Sequence, residues 1–277
     1  MSSVQTEMKA LRRTEHDGQH PRSRAFTVVE LLVVVAVIAI LAALLLPTVP
    51  PGRGKSKVRA KVEISQLAAA IRDYESAYGG FPVSTTVTAL ATNVPSSPGS
   101  SEDCTYGLAF LASQGMTPAP LVNTPNLSNN AEVIAILMDL ETYGNGAQTV
   151  NFGHARNPQR IKFLSANLVS DTKSPGVGLD GCFRDPWGTP YLITMDLNGD
   201  GKTRDAFYRS PLVSADPADR TTPKRGLNGL IPTVLNTNTC YEANTPVMVW
   251  SAGPDKAIQP GGRANVGANK DNVLSWK

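Results

Sequence analysis

Histidine is nearly absent from this 277-residue chain, which holds three in all. His16 and His20 lie ahead of a long apolar run, so only His154 remains beyond it. That scarcity argues against a histidine-rich metal centre and leaves a Ser/His/Asp arrangement poorly supplied. His154 follows Asn151-Phe152-Gly153, a turn-like context that suits an ordinary surface or hydrogen-bonded histidine. Cysteine is scarce too. Cys104, Cys182 and Cys240 are far apart with no CxxC pair, which disfavours structural zinc; the odd count permits one disulfide and leaves one thiol. The formal net charge is only +3, too small for a strong polyanion-binding field, so nucleic acid is not an expected partner. No nucleophile–base pair, phosphate loop or internal repeat stands out, and the chain does not read as an enzyme.

Gly (23) and Pro (21) are plentiful and charged residues make up 18% of the chain, a balance that suits a loop-rich exported domain better than a helical bundle. The length allows one sizeable domain with extensions, or two small ones.

The strongest signal is the run Phe26 to Leu46, FTVVELLVVVAVIAILAALLL, broken by one charge, Glu30. As a helix it would rise roughly 32 Å, close to a bilayer core of about 30 Å. It is longer than the apolar region of an ordinary secretory signal, about 7–15 residues. Arg12, Arg13, Arg22 and Arg24 precede it, so the positive-inside rule keeps the amino terminus cytoplasmic and places the rest outside. A plain single-pass anchor explains everything except Glu30. A carboxylate one turn into a spanning helix is unfavourable unless a cation compensates it. Cleavage between Ala25 and Phe26 would supply one, the new ammonium group on Phe26, within a subunit or between staggered neighbours.

The stretch Arg24-Ala25-Phe26-Thr27-Val28-Val29-Glu30-Leu31-Leu32-Val33 resembles the signal of type IV prepilins and type II secretion pseudopilins. The resemblance implies cutting before Phe26 by a membrane prepilin peptidase, methylation of the Phe26 amine by the same enzyme, and a role in assembly for Glu30. Pro47 falls where many members bend the helix. Ala25 stands where the family usually has Gly, which implies slower processing, and the leader of residues 1–25 is long.

Beyond the membrane, prolines and glycines from Pro47 to Gly54 interrupt the helix, and helical spacing resumes at Lys55. Val58, Val62, Ile64, Leu67, Ala68, Ile71, Tyr74, Ala77 and Tyr78 form its apolar stripe, ended by Gly79-Gly80. Lys55, Lys57, Arg59 and Lys61 form a basic cluster near the membrane exit, either a solvated face or a contact with lipid phosphates or a neighbouring subunit. Phe81 to Asn130 reads as irregular structure around Tyr106–Leu111. Asn130 to Leu140 reads as a short helix capped at Asn130, with Val133, Ile134, Leu137 and Leu140 facing the core. The carboxy-terminal third reads as antiparallel sheet: Tyr191–Met195 and Ala206–Arg209 about a turn, then Pro246–Ser251.

Asp185-Pro186-Trp187-Gly188-Thr189-Pro190-Tyr191 reads as a turn with Trp187 as a core plug. This stretch, Ser251–Asp255 and Asp271–Trp276 resemble the major pseudopilin of type II secretion, while Phe81 to Asp180 is enlarged with no counterpart. Cation binding has two candidate places. Asp196-Leu197-Asn198-Gly199-Asp200-Gly201-Lys202 begins like a calcium loop, with side-chain oxygens from Asp196, Asn198 and Asp200 and the Lys202 carbonyl. Its twelfth position is Phe207, not Glu, and Asp205 could substitute only along a different path; a plain hairpin turn is the alternative. The second place rests on resemblance alone. In the major pseudopilin a carboxy-terminal loop holds calcium, and the matching residues here are Asp271 and Asn272, with a solvated tail as the alternative.

The expected architecture is an α+β, pilin-like fold in which a long amino-terminal helix packs on a small antiparallel sheet with a loop-rich insertion. Its parts are a cleaved leader (1–25), a transmembrane helix (26–46), the outer half of that helix (47–80) and an extracytoplasmic globular domain (81–277). The resemblance implies a structural pseudopilin of the bacterial inner membrane, single-pass, with its domain in the periplasm. Its expected partners are itself, other pseudopilins, prepilin peptidase and the membrane. A minor pilin of a type IV pilus or DNA-uptake filament is the nearest alternative, and a membrane-tethered calcium-dependent binding module the alternative of another class.

Overall fold

A computed structural model describes residues 27–45, 53–93, 103–107, 109–110, 129–222, 224–235 and 238–277. The chain divides into two units, Met1–Pro50 and Pro51–Lys277. In the first, helix α1 runs from Val28 to Leu45. Its 18 residues rise about 27 Å, just short of a bilayer core of about 30 Å. Among the described residues no helix is long and apolar enough to cross a membrane. The leader 1–25 (Ala25 with it), Phe26 and residues 46–52 (Leu46 and Pro47 among them) lie outside the described residues, and so does any continuity from α1 into the next helix; Gly54, expected in the break before Lys55, is instead helical, since the next helix begins at Arg53.

In the second unit, α2 spans Arg53–Tyr78 and stops where Gly79 takes φ +69°. Its buried stripe is Ala60, Ile64, Leu67, Ala68, Ile71 and Tyr74, at helical spacing. Val58 and Val62, expected on that stripe, are 65% and 50% exposed, and Ala77 is exposed as well. The stripe is narrower than the sequence suggests, since Val58 and Val62 lie on another face of the helix with Lys61, Ser65 and Gln66.

That sheet is fully antiparallel, in the order β1 (Cys104–Tyr106), β4 (Leu192–Met195), β7 (Val247–Ser251), β8 (Val273–Leu274). Leu192 pairs with Trp250, Met195 with Val247 and Trp250 with Leu274. Side chains alternate across a strand, and β7 is buried on both faces. Val247 and Val249 join the core under α2; Met248 and Trp250 join a second core with Phe207, Tyr208, Val213, Leu230 and Tyr241. A two-sided burial of this kind needs a continuous apolar run, and Val247-Met248-Val249-Trp250 provides it. Two small pairs complete the strands: β2 (Gly176–Val177) with β3 (Phe183–Arg184), and β5 (Ile231–Leu235) with β6 (Asn238–Glu242).

The architecture is α+β, with antiparallel sheet. Several local expectations need correction. The region read as irregular contains α3 (Thr85–Asn93) and strand β1. Helix α4 is shorter than expected, Ala131–Leu137, and buried almost all round. Asn130 precedes it, but its side chain makes no cap. Its amide donates to the Phe183 and Tyr191 carbonyls and accepts from the Phe183 N–H, stitching the helix entrance to two strands. A last short helix, α5, is Pro211–Ser214, capped by Ser210. Ala206–Arg209 is a turn, not a strand, and β4 pairs with β1 and β7 instead.

The Asp185 turn forms as expected. Asp185 Oδ1 accepts the Trp187 and Thr189 amides, both at 2.9 Å, but Trp187 is only partly buried against the core. All three cysteines are free thiols, so the one disulfide that the count permits is absent.

Candidate functional site

The amino-terminal candidate is built from Thr27 and Glu30. The Thr27 N–H and hydroxyl donate to Glu30 Oε2 at 3.0 and 2.9 Å, and the Glu30 N–H donates back to Thr27 Oγ1 at 3.2 Å. This is a reciprocal capping box, Thr followed three residues later by Glu, which satisfies amide groups that a helix start leaves unpaired. The residues expected to act here are Ala25, Phe26 and Glu30; Thr27 has no expected role, although the T-x-x-E spacing is readable in the sequence. The box fixes the Glu30 carboxylate beside the first residues of α1, so the acid is held at the helix start and not left free along the apolar shaft.

The second candidate is the loop after β4. Asp196 Oδ1 accepts the Gly199 and Asp200 amides at 2.8 and 3.1 Å, and its Oδ2 accepts the Gly201 amide at 2.8 Å. Asn198 Oδ1 accepts Asp200 N–H, and Asp200 Oδ1 accepts Lys202 N–H. Gly199 and Gly201 take φ +73° and +79°, which side chains disfavour. The loop is thus wound around Asp196 by its own amides: two donors fill its Oδ1, while Oδ2 takes one and keeps acceptor capacity. Lys202 sends its ammonium away to Glu242 at 2.7 Å. Glu242 is buried; burial opposes its charge, but hydrogen bonds from Lys202, Thr233 and Arg204 hold its carboxyl below the usual range.

Asp205 is not brought to this loop. It is wholly buried, and its carboxylate accepts from Thr194 Oγ1, Trp250 Nε1 and the Phe207 and Tyr208 amides. Two acids outside the expected ligand set feel the charge of Asp196. Asp103 is pushed up to about 7, mainly by burial and in part by the charge of Asp196. Glu75 on α2 is raised by burial and again by Asp196. Among the described residues, no three His, Cys, Asp or Glu side chains form a group able to hold a metal ion. Any cation here would depend on amide and carbonyl oxygens as well.

The third candidate is the tail loop before β8. Asp271 Oδ1 and Asn272 Oδ1 are both buried without a hydrogen-bond donor, while Asn272 Nδ2 donates to the Tyr208 hydroxyl at 2.8 Å. Burial, then the charge of Asp255, raises the Asp271 carboxyl above its ordinary value. Gly253, at φ +78°, lies so close that a Cβ there would stand 2.7 Å from the Asp271 carbonyl oxygen. Two orphaned oxygens beside a second carboxylate fit a hard cation, which takes oxygen ligands and would relieve both penalties.

Comparison with known proteins bears on the first of these places. The chain carries a prokaryotic N-terminal methylation motif. Residues 20–46 match the model of that motif, a span that holds Ala25, Phe26, Thr27 and Glu30 together. The motif is the type IV pilin-like signal, and it implies processing by prepilin peptidase and assembly into filaments. It is also consistent with membrane anchoring. No curated protein and no solved structure matches the chain.

Proposed function

We propose that this chain is a structural, non-catalytic pilin-like subunit. Prepilin peptidase would cut it between Ala25 and Phe26 and methylate the Phe26 amine. The processed form would sit in the bacterial inner membrane through the apolar run and polymerise with itself and related subunits into a periplasmic pseudopilus for type II secretion. The methylation motif over residues 20–46 carries this reading. The packing of α2 on an antiparallel sheet supports it, since a filament subunit needs a rigid body attached to its helical anchor. In the same proposal calcium orders the tail loop at Asp271 and Asn272 and the Asp196 loop, using Asn198, Asp200 and the Lys202 carbonyl.

Mass spectrometry of the membrane-extracted protein tests the central step. The expected species begins at Phe26 and carries one added methyl group. Recovery of a functional chain with its first 25 residues attached would sink the proposal. Localisation to surface pili, with no secretion defect on deletion, would favour the minor-pilin alternative.

A further inference from the structure

Where α2 ends, it builds one wall of a cavity. Tyr74 and Tyr78, one turn apart, have ring centroids 4.7 Å apart, and Phe163 meets them at 5.4 and 6.0 Å, which fixes both rings. With Gly80, Phe81, Ala155 and Arg156 they line a cavity of about 210 Å³. Both phenols are engaged. Tyr74 donates to the Arg156 carbonyl; Tyr78 donates to Asn157 Oδ1 at 2.7 Å and accepts the Gln159 amide at 3.2 Å.

Arg156 is held through its main chain on both sides. Its N–H donates to Asn151 Oδ1 at 3.1 Å and its carbonyl accepts from Tyr74. The side chain lacks comparable support. Arg156 Nε is buried without an acceptor, and among the described residues no carboxylate forms an ion pair with the guanidinium. Its positive charge is felt at the Tyr74 and Tyr106 hydroxyls, where it partly offsets the rise caused by burial. Glu132 is the acid on that side, but its Oε1 already accepts from the Tyr106 hydroxyl at 2.9 Å and the Ser84 amide at 2.6 Å.

Arg156 is half-buried; its buried Nε–H without an acceptor is unfavourable, and the planar fork of its guanidinium matches a carboxylate. One cation suits a monoanion better than a doubly charged phosphate. The aromatic wall adds room for an apolar stem. From these observations we propose that the cavity between Tyr74, Tyr78, Phe81 and Arg156 binds a carboxylate carried on a short apolar stem. The source is either a free small acid or a glutamate side chain of another polypeptide. This inference stands apart from the amino-terminal motif.

Calorimetry on the full chain in detergent micelles tests it with three probes: phenylacetate, its neutral isostere phenylacetamide, and acetyl-glutamate methylamide. Saturable binding of an acid is expected. The neutral isostere and the Arg156→Gln variant should each be about tenfold or more weaker, as expected for loss of one charge-assisted contact. Tighter binding of the glutamate compound points to a protein-borne source, and tighter phenylacetate to a free acid. Equal binding of amide and acid, unchanged affinity in Arg156→Gln, or no saturable heat from either acid overturns the proposal. Should the variant fail to fold, the comparison of acid with amide on the unaltered chain decides alone.

Discussion

Trp250 donates its indole N–H to Asp205 Oδ2 across 3.0 Å, inside the core on the sheet face opposite α2. The same carboxylate takes the Thr194 hydroxyl at 2.7 Å and the amides of Phe207 and Tyr208 at 2.9 Å. Asp205 therefore shapes the turn 206–209 and anchors the largest buried side chain of the sheet. Asp205→Ala should cost about 3 kcal/mol or more, because it strands several buried donors at once. Denaturant midpoints check this. Calcium affinity of a folded Asp205→Asn variant should be unchanged, since the carboxylate is engaged with Thr194, Trp250 and the 207–208 amides.

Asp103 gives the fold a pH dependence of definite sign. Its carboxyl ordinarily titrates at 3.8 and is pushed up to about 7, chiefly by burial. The folded state thus holds a proton that the unfolded chain releases. That contribution is fully present below about pH 4 and is lost by about pH 7, so stability should fall as pH rises through this window, by roughly 4 kcal/mol at most. Glu75 and Asp185, also raised by burial, act in the same sense. Unfolding curves across the window should flatten in Asp103→Asn. An unchanged slope would assign the dependence to other acids.

The tail loop offers a test of calcium that does not involve the Asp196 loop. Gly253→Ala would place a Cβ 2.7 Å from the Asp271 carbonyl oxygen and 3.3 Å from its Cγ, at a φ of +78° that alanine disfavours. The loop must shift, and calcium affinity there should drop with it. Asp271→Asn should weaken binding too, because affinity follows ligand charge. Calorimetry showing no calcium heat in the unaltered protein would dispose of both cation sites.

Thr27 makes a prediction of its own. Thr27→Val removes the hydroxyl that both gives a hydrogen bond to Glu30 and receives one from its amide. The helix start should fray, and assembly should suffer in the same direction as in Glu30→Ala, though less. Crosslinking yield between subunits in membranes checks this, and full assembly by Thr27→Val would show the box to be dispensable.

Much of the scaffold was legible because its signals were periodic. The Ile64–Tyr74 stripe and the apolar run of β7 each announce their element and its burial. What stayed hidden was decided by distant partners. Asn130 looks like a cap but serves strands more than fifty residues away. Ala206–Arg209 looks like a strand but is bent by the Asp205 carboxylate. Cys104–Tyr106 is too short to show alternation and becomes a strand only by pairing with β4. At the sites, Glu30 was readable from its cost in an apolar run. The cavity at Arg156 was not, since nothing in local sequence says that its guanidinium meets no acid among the described residues.

Two of the three free thiols are fully buried. Burial pushes Cys104 up to about 12 and Cys182 up to about 11. At neutral pH each is therefore almost wholly protonated, and the thiolate that disulfide exchange requires is scarce. Cross-links contribute nothing to holding this fold together, so its maturation demands no oxidant. A chain held together without disulfides does not depend on the redox state of its surroundings for covalent ties.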